Sequence, residues 1–333
     1  MGQQIKWYRT QVDRADLQAL SEKSDLKGAL QTLGFLGVYF GFGATACWFS
    51  LLESAWFWAC IPSAVLCGMT VHFFVNGFHE LIHDSVFKTQ ALNVLFLKVY
   101  SFLGWNNHHY FWASHTEHHK YTLHPPDDLE VVLPISIKGK DIFLTAFFNL
   151  GHVKWMIGFN WRLARGIFQG AWEEQLFPES APEKRRSLRN WARLVLCGHA
   201  SIALVAVGLG WWMVPVLQMV APIFGSGLQF LCNTAQHISL QDKVPDFRLC
   251  CRTILLNPVL RFVYWNMNYH TEHHMYPAIP CYNLGKFHRL IRHDLPHCPV
   301  GLIQTWREIL AIQSRQQRDP QYQHIPTFPE SAN

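Results

Sequence analysis

The sequence is poor in charged residues. Asp, Glu, Lys and Arg make up 15% of the 333 residues, well below the ~25% typical of soluble domains, and half of the chain is hydrophobic. The apolar residues are gathered in long runs, which favours a membrane protein over a soluble one with a very large core. The net charge of +5 comes with no basic run interleaved with aromatic residues, so we expect no nucleic acid partner.

Paired cysteine motifs are also missing. None of the nine cysteines forms a CxxC pair, which leaves rubredoxin-like and zinc-ribbon sites without support. Several lie inside apolar stretches, where a free cysteine behaves as a small hydrophobic residue. The first 28 residues are polar and mixed in charge, unlike a cleavable signal peptide. These features fit a protein that needs no disulfides.

Charge is almost absent from the segments that we predict to cross a membrane. Residues 29–51 and 55–78 are uncharged, and a later block over 191–232 is divided by a turn at GLGWW into 191–210 and 212–232. Together these runs are long enough for four crossings of a ~30 Å hydrocarbon core. The shorter run 91–104 predicts an interfacial or re-entrant helix, and 142–160 and 300–316 predict amphipathic segments.

The two tight turns between these runs, LESAW and GLGWW, contain no Lys or Arg. Basic residues concentrate instead in the N-terminus, in 105–190 and in the last hundred residues, which the positive-inside rule assigns to the cytoplasm. We therefore predict an all-α integral membrane protein with four transmembrane helices in two hairpins and a cytoplasmic helical cap. Residues 1–28 would form a cytoplasmic N-terminal segment, 29–320 the membrane domain and 321–333 a C-terminal tail. The short chain favours a bacterial inner membrane.

Histidine is repeated in short clusters. The pentapeptide HTEHH occurs at 115–119 and again at 270–274, HELIH occupies 79–83, and NTAQH occupies 233–237. Positions i, i+3 and i+4 share one face of a helix, so we expect each HTEHH to present three imidazoles to one point. All four clusters fall on the predicted cytoplasmic side. The candidate metal ligands are His79, His83, His115, His118, His119, His237, His270, His273 and His274.

Nine imidazoles are too many for one metal ion. Zinc takes four ligands, whereas two metal ions with four or five nitrogens each would use the whole set and keep positions open. Imidazole binds Zn, Cu, Fe and Ni alike, so ligand type alone does not select the metal. Open positions on redox-active metals indicate O₂ chemistry.

The quoted clusters resemble a known set of motifs. HELIHDSVF, ASHTEHHKYTLHPPDD, NTAQH and NYHTEHHMYPAIP are similar to the histidine boxes of the membrane fatty acid desaturase/hydroxylase superfamily, over about residues 30–300. The resemblance implies two iron ions held by the nine histidines, with Asn233 linked to the metal through a water molecule. It also implies O₂ as co-substrate and hydrogen removal from, or hydroxylation of, an unactivated alkyl chain.

The resemblance further implies a lipid or acyl-chain substrate in the membrane. It also implies a separate electron donor of the ferredoxin, rubredoxin or cytochrome b5 type, with its reductase, because we identify no such module in the chain. The HxxxH first box is shared by desaturases and hydroxylases, but the third box lacks the NYIEHYGL signature of alkane hydroxylases. We expect an O₂-dependent desaturase, with a hydroxylase or ketolase of an alkyl or isoprenoid chain as the alternative.

Metal-binding histidines usually donate their other N–H to a carboxylate or carbonyl. The candidates for these outer partners are Glu80, Asp84, Asp128 and His124, of which Asp84 and Asp128 are preferred. His288 has no metal spacing and is assigned to the surface, together with His152, His293 and His297.

Two other functions are compatible with these histidine motifs. HELIH is also an HExxH zinc-protease signature, with Glu80 as general base, although it leaves seven histidines unexplained. A metal-handling membrane protein would need ionisable groups inside its spans. Only His72 and His199 lie there, and a lone histidine in a span more often forms a hydrogen bond between helices.

Overall fold

The computed structural model describes residues 4–135, 137, 143–145 and 148–329, and it contains helices, turns and isolated bridges but no β-strand within those ranges. The all-α prediction is confirmed. Parts of the predicted 142–160 segment and of both terminal segments lie outside the described residues. The α-helices in chain order are α1 (Arg14–Leu20), α2 (Asp25–Phe49), α3 (Cys60–Ile82), α4 (Gln90–Leu103), α5 (His108–Tyr121), α6 (Leu150–Ala164), α7 (Gly170–Leu176), α8 (Pro182–Gly208), α9 (Met213–Met219), α10 (Ser226–Thr234), α11 (Phe247–Cys250), α12 (Pro258–Val263), α13 (His270–Met275), α14 (Cys281–Ile291) and α15 (Gly301–Arg318).

Three helical segments are long and apolar enough to cross a membrane: α2, α8, and Ala55–Ile82, in which a 3₁₀ turn continues into α3. A fourth candidate is the pair Met213–Ile223 and Ser226–Thr234, which is bent by 42°. The aromatic side chains of Trp48 and Trp58, on either side of the first tight turn, are about two-thirds exposed. Such exposed aromatic residues are typical of a membrane interface.

The third long helix begins earlier than the predicted span at 191. Pro182 occupies its first turn and Glu183 follows, and both residue types favour the start of a helix. The charged segment before the apolar run is therefore helical as well, and α8 extends beyond the apolar segment at its N-terminal end.

The bend in the fourth candidate span depends on glycine. Gly225 has φ +90°, and a Cβ there would lie 2.3 Å from Cγ of Met69. A Cβ on Gly68 would lie 2.1 Å from the carbonyl oxygen of Ala221. Two glycines without side chains thus allow the broken segment to pack directly against α3.

An aromatic core lies between the long helices and the segment before the second HTEHH. The rings of Phe35, Phe74, Tyr100 and Trp265 pack edge to face or tilted, with centroids 5.1–6.2 Å apart. The Tyr100 hydroxyl donates to the carbonyl of Thr32 at 2.7 Å. This core links α2, α3 and α4 to the polypeptide that leads into α13, and it therefore fixes where the histidine clusters meet.

Candidate metal centre

The first histidine cluster lies at the end of α3. His79 and His83 are one helical turn apart and share a face, and α3 ends at Ile82 with His83 as its C-cap. His79 Nδ1 lies 3.1 Å from Oε1 of Glu80, a residue with 0% exposure. The end of this long helix thus brings two imidazoles and a buried carboxylate to the edge of the apolar bundle.

The two HTEHH copies lie on α5 and α13, and each divides its histidines between two neighbouring groups. On α5, His115 and His119 join the first group and His118 the second. On α13 the division is reversed, because His270 and His274 join the second group and His273 the first. Our expectation that each copy presents three imidazoles to one point is therefore wrong. The i and i+4 side chains share a direction, and the i+3 side chain diverges enough to reach the other group.

The structure brings all nine predicted histidines together. Within each group the candidate ligand atoms lie within 4.8 Å of one another. The five-histidine group is His79, His83, His115, His119 and His273, and the four-histidine group is His118, His237, His270 and His274. The groups adjoin, since the rings of His119 and His274 are stacked with centroids 4.4 Å apart.

Outer hydrogen bonds fix the orientation of several rings. His118 Nδ1 is 2.8 Å from Asp128, and His115 Nδ1 is 2.9 Å from Glu130. His237 Nδ1 donates to the carbonyl of Cys250 at 2.8 Å. In each case the outer partner accepts a hydrogen bond from Nδ1–H. The lone pair is then on Nε2, the nitrogen that is free to bind a metal, as in metal sites with ordered outer ligands.

Nitrogen lone pairs converge in the four-histidine group. The Thr122 hydroxyl donates to the carbonyl of His118 and can accept from Nδ1 of His274 at 3.3 Å. Nε2 of His274 and Nε2 of His237 then both carry lone pairs, and both face Nε2 of His270, at 3.1 and 2.8 Å. One N–H on His270 can satisfy only one of them. A cation satisfies all three, so these residues fit a metal ion.

The five-histidine group fits a metal ion for a related reason. Nε2 of His79, His83 and His115 are buried and have no hydrogen-bond partner among the described residues. Buried polar atoms normally have a partner, and imidazole nitrogens that share one small volume are suited to binding a transition metal. Burial and the donor set therefore support one ion in each group.

The local environment keeps most of these imidazoles neutral. Burial lowers the pKa of His83 to about 4 and the pKa of His237 to about 3. Burial and neighbouring imidazoles hold the pKa of His274 well below its ordinary value. For His118, burial lowers the pKa, but the hydrogen bond to Asp128 and the negative charges of Glu130 and Asp128 together raise it above its ordinary value. Neutral imidazole is the metal-binding form, and an outer carboxylate makes His118 a more basic ligand.

Buried contacts behind the histidines hold the last two boxes in place. The guanidinium of Arg252, 8% exposed, donates to the carbonyls of Ala235 and Ile238, which flank the His237 segment. Behind α13, Glu272 is fully buried and accepts hydrogen bonds from Thr253 and His288. His288 is therefore not a surface residue as expected, because its ring anchors the helix of the third box.

The predicted outer partners have different surroundings. Asp128 and Glu80 contact cluster histidines. Asp84 has φ +55°, and its partly exposed carboxylate lies 3.6 Å from Lys23. His124 Nδ1 donates to the carbonyl of Thr122 at 2.9 Å, and its ring meets Trp7 edge to face. The preference for Asp84 was thus wrong, because the backbone turns at the end of α3 and directs that carboxylate towards Lys23.

Sequence reasoning missed Glu130, Glu272 and Arg252. Glu130 follows Asp128 by two residues and has no spacing rule to mark it. Glu272 could have been found, since its position within HTEHH lies on the helix face away from the three histidines. Arg252 acts through backbone carbonyls, which leave no signal in sequence.

A cavity of about 280 Å³ is lined by residues of both groups. Five histidines line it, drawn from both groups, together with apolar side chains that include Val75, Phe111 and Met267. Asn76 and Asn233 also line it, and Nδ2 of Asn76 donates to Oδ1 of Asn233 at 3.1 Å. A cavity that combines apolar side chains with polar groups from both candidate metal sites is suited to bringing a substrate chain to the histidines.

The histidines within the spans form cross-helix hydrogen bonds, as expected. Nε2 of His72 lies 2.9 Å from the Pro222 carbonyl, and Nε2 of His199 lies 2.9 Å from the Phe102 carbonyl. Neither residue belongs to a metal-binding group in the described part of the chain. The two histidines of HELIH share their group with three others, which argues against an isolated HExxH zinc site.

Comparisons with known proteins agree with this geometry. The family model for fatty acid desaturase matches residues 55–306, a range that contains all four histidine clusters. The human sphingolipid delta(4)-desaturase/C4-monooxygenase DES2 is 25% identical over 271 residues, which cover 80% of this chain and 75% of the relative. With three or four apolar helices and this match over most of its length, the chain belongs to the fatty acid desaturase family of membrane oxidoreductases.

Proposed function

We propose that the protein is an O₂-dependent di-iron desaturase that introduces a double bond into an acyl or related lipid chain. One observation carries the proposal: nine imidazoles form adjacent groups of five and four beside a cavity that both groups line. Five or four nitrogens leave positions open on an ion that prefers six ligands. Family membership supports iron over the other metals that imidazole binds.

The five-histidine group would hold one iron ion and the four-histidine group the other. The iron pair, when bound, supplies O₂ activation, which no side chain provides. Glu80, Asp128 and Glu130 hold ring orientations, and Asn233 faces the cavity beside the smaller group, where a bound water could link it to the metal. The hydrogen bond from Nδ1 of His237 to the carbonyl of Cys250 orients this ring as one of the four imidazoles of the smaller group.

The net reaction balances with electrons from outside. One O₂ takes two electrons and two protons from outside and two hydrogen atoms from adjacent carbons, giving a double bond and two waters. The protein positions the alkyl chain and excludes water. Val75, Phe111 and Met267 provide apolar contact in the cavity, and each buried methylene contributes about 0.8 kcal/mol. The electrons would come from a separate carrier protein and its reductase.

The proposal includes a membrane topology. The three long helices and the bent fourth segment would form two hairpins, with both termini and the histidine clusters in the cytoplasm. Residues 1–28 would form the cytoplasmic segment, 29–320 the membrane domain and 321–333 the tail. Because the matching relative is human, the short chain no longer argues for a bacterial inner membrane.

Hydroxylation is the second candidate, and the printed name of the human relative supports it by including a C4-monooxygenase. The same site would then insert one oxygen atom of O₂ into a C–H bond and release the other as water, again with two electrons and two protons from outside. The choice depends on whether a second C–H bond is close enough to lose its hydrogen.

The test combines elemental analysis of detergent-purified protein with product analysis in cells fed deuterium-labelled fatty acids. Two irons per chain and a product lighter by two hydrogen atoms would support the desaturase. Two irons with an added oxygen atom would favour the hydroxylase. A single zinc with no lipid product would overturn both and restore the HExxH interpretation.

A further inference from the structure

A basic groove lies on the water-accessible side of α5. It encloses about 640 Å³ and is formed by the N-terminal segment and the end of α5. Lys6, Arg9 and Lys120 line it and are exposed, and no carboxylate of the described residues lines it. His119, half-buried, lies in its wall, so a protein that docks here approaches the five-histidine group directly.

The same groove reaches the four-histidine group through two aromatic rings. Nε1 of Trp7, in the groove wall, donates to the carbonyl of Lys120 at 2.9 Å. The Trp7 ring stacks on Phe247, with centroids 4.2 Å apart and planes 10° apart. Phe247 is fully buried, and its ring centroid lies 5.4 Å from that of His274.

We infer that this groove is the docking surface for an acidic one-electron carrier protein, and that Trp7 and Phe247 form its electron route to the histidine clusters. The inference rests on the proposed function, which requires external electrons. In each encounter the carrier is oxidised and the metal pair gains one electron. Two encounters supply the two electrons of one turnover, and the protons come from water.

Charge and distance both favour this occupant. Lys6 and Arg9, together with Lys120, which also pairs with Glu117 at 2.8 Å, give the groove a net positive charge. This charge attracts an acidic protein surface and raises its rate of encounter. Electron transfer slows steeply with distance, and packed rings keep the path short from the groove to His274. The stack of His119 on His274 then joins the two groups, so one docking position can serve both metal ions.

The first experiment measures binding without turnover. The probe is a [2Fe–2S] ferredoxin of net negative charge, and the protein is the full chain in detergent, metal-free and metal-loaded. The variant K6E/R9E/K120E should bind at least about tenfold more weakly than wild type and lose most of the salt dependence. The control K88E/K286E makes the same type of charge change in a different groove, lined also by acidic residues, and should bind as wild type does.

Equal binding by the groove variant and wild type would overturn the docking surface. A groove variant that keeps ferredoxin binding but loses binding to phosphatidylglycerol vesicles would overturn it too, in favour of lipid headgroups. Because binding is measured without metal, this result does not depend on whether the proposed reaction occurs.

The second experiment separates the route from the chemistry. W7L should slow ferredoxin-driven reduction of the loaded centre several-fold, whereas W7F, which keeps a ring against Phe247, should stay close to wild type. Reduction by dithionite with methyl viologen needs no docking and should be unchanged in both. Equal ferredoxin-driven rates in W7L and wild type would overturn the route. Dye-reduced wild type without any product would count against the proposed function instead, and would leave the binding result standing.

Discussion

The two copies of HTEHH have the same sequence but different surroundings. On α5, Glu117 is partly exposed and pairs with Lys120 at 2.8 Å. On α13 the corresponding Glu272 is fully buried and held by Thr253 and His288. In both copies the three histidines belong to the candidate metal groups. The glutamate faces water on α5 and is a buried anchor on α13. The motif specifies imidazole positions, and the neighbouring chain decides what the remaining residues do.

The copies also differ in where their single diverging histidine goes. His118 leaves the α5 pair to join the four-histidine group, and His273 leaves the α13 pair to join the five-histidine group. Each helix therefore contributes to both candidate metal sites. Substitutions in matched positions of the two copies can show whether the two groups are separate sites.

The largest effects are expected from His118→Ala and His273→Ala. Both should lower turnover more than about 100-fold, beyond the 10–100-fold typical of outer partners, while the protein still inserts into membranes. His118→Ala leaves three histidines in its group and should lose about one iron per chain, whereas His273→Ala leaves four and should keep more iron. Elemental analysis measures this difference. Equal iron contents in the two variants would contradict two separate sites, and exposed His297→Ala is the control.

Next come Glu272→Ala and Glu117→Ala. Removing the buried carboxylate leaves Thr253 and His288 unpaired and should cost about 3 kcal/mol of unfolding free energy. The exposed ion pair of Glu117 should contribute less than about 1 kcal/mol. Thermal unfolding of the two variants in detergent measures this difference. Equal melting temperatures would show that the buried contacts of Glu272 do not stabilise the fold.

Asp128→Asn and Glu130→Gln test the carboxylates that orient the α5 histidines. Each variant keeps the size of the side chain but replaces the carboxylate that accepts a hydrogen bond from His118 or His115 with a neutral amide. We expect metal affinity to fall about tenfold or more, measured by competition with a chelator. Glu117→Gln, on α5 itself, is the control. Equal metal affinity in all three variants would rule out the orienting role of Asp128 and Glu130.

The smallest effect is expected from Thr122→Val. Thr122 follows α5 and can accept a hydrogen bond from His274 on α13 at 3.3 Å, so it joins the two copies. The substitution also removes the donation to the His118 carbonyl, but the contact with His274 is the one that bears on a ligand. Its loss should cost about 1 kcal/mol, or about fivefold in metal affinity. Thr116→Val, whose hydroxyl bonds within its own helix, should change the affinity less. A larger loss in Thr116→Val would contradict this assignment.

Much of the fold could be predicted because it depends on local patterns. Uncharged runs locate the first two long helices to within a few residues, and GLGWW marks the turn after α8, where Gly210 has φ +79°. The short apolar run became α4 and the last amphipathic segment α15, since length and periodicity determine both. The start of α8 and the bend at Gly225 were missed because they depend on a helix cap and on close contact with α3.

The candidate site was predictable in membership but not in arrangement. Spacing selected eight of the nine histidines that the structure places in two groups, and the NTAQH segment added His237. Their division depends on the angle at which α5 meets α13, which no local pattern contains. Glu130, Arg252 and the backbone oxygen of Cys250 were missed for the same reason, because their partners are distant in sequence or belong to the backbone.

Neighbouring histidines in one helix serve different groups: His118 and His119 on α5, His273 and His274 on α13. Under the proposed function, an ion bound in either group would order both helices and place ligands for the other group in advance. The first ion would then bear most of the entropic cost of ordering α5 and α13, and the second would bind more tightly. We therefore expect cooperative metal loading, in which a titration gives fewer chains with one ion than two independent sites would give.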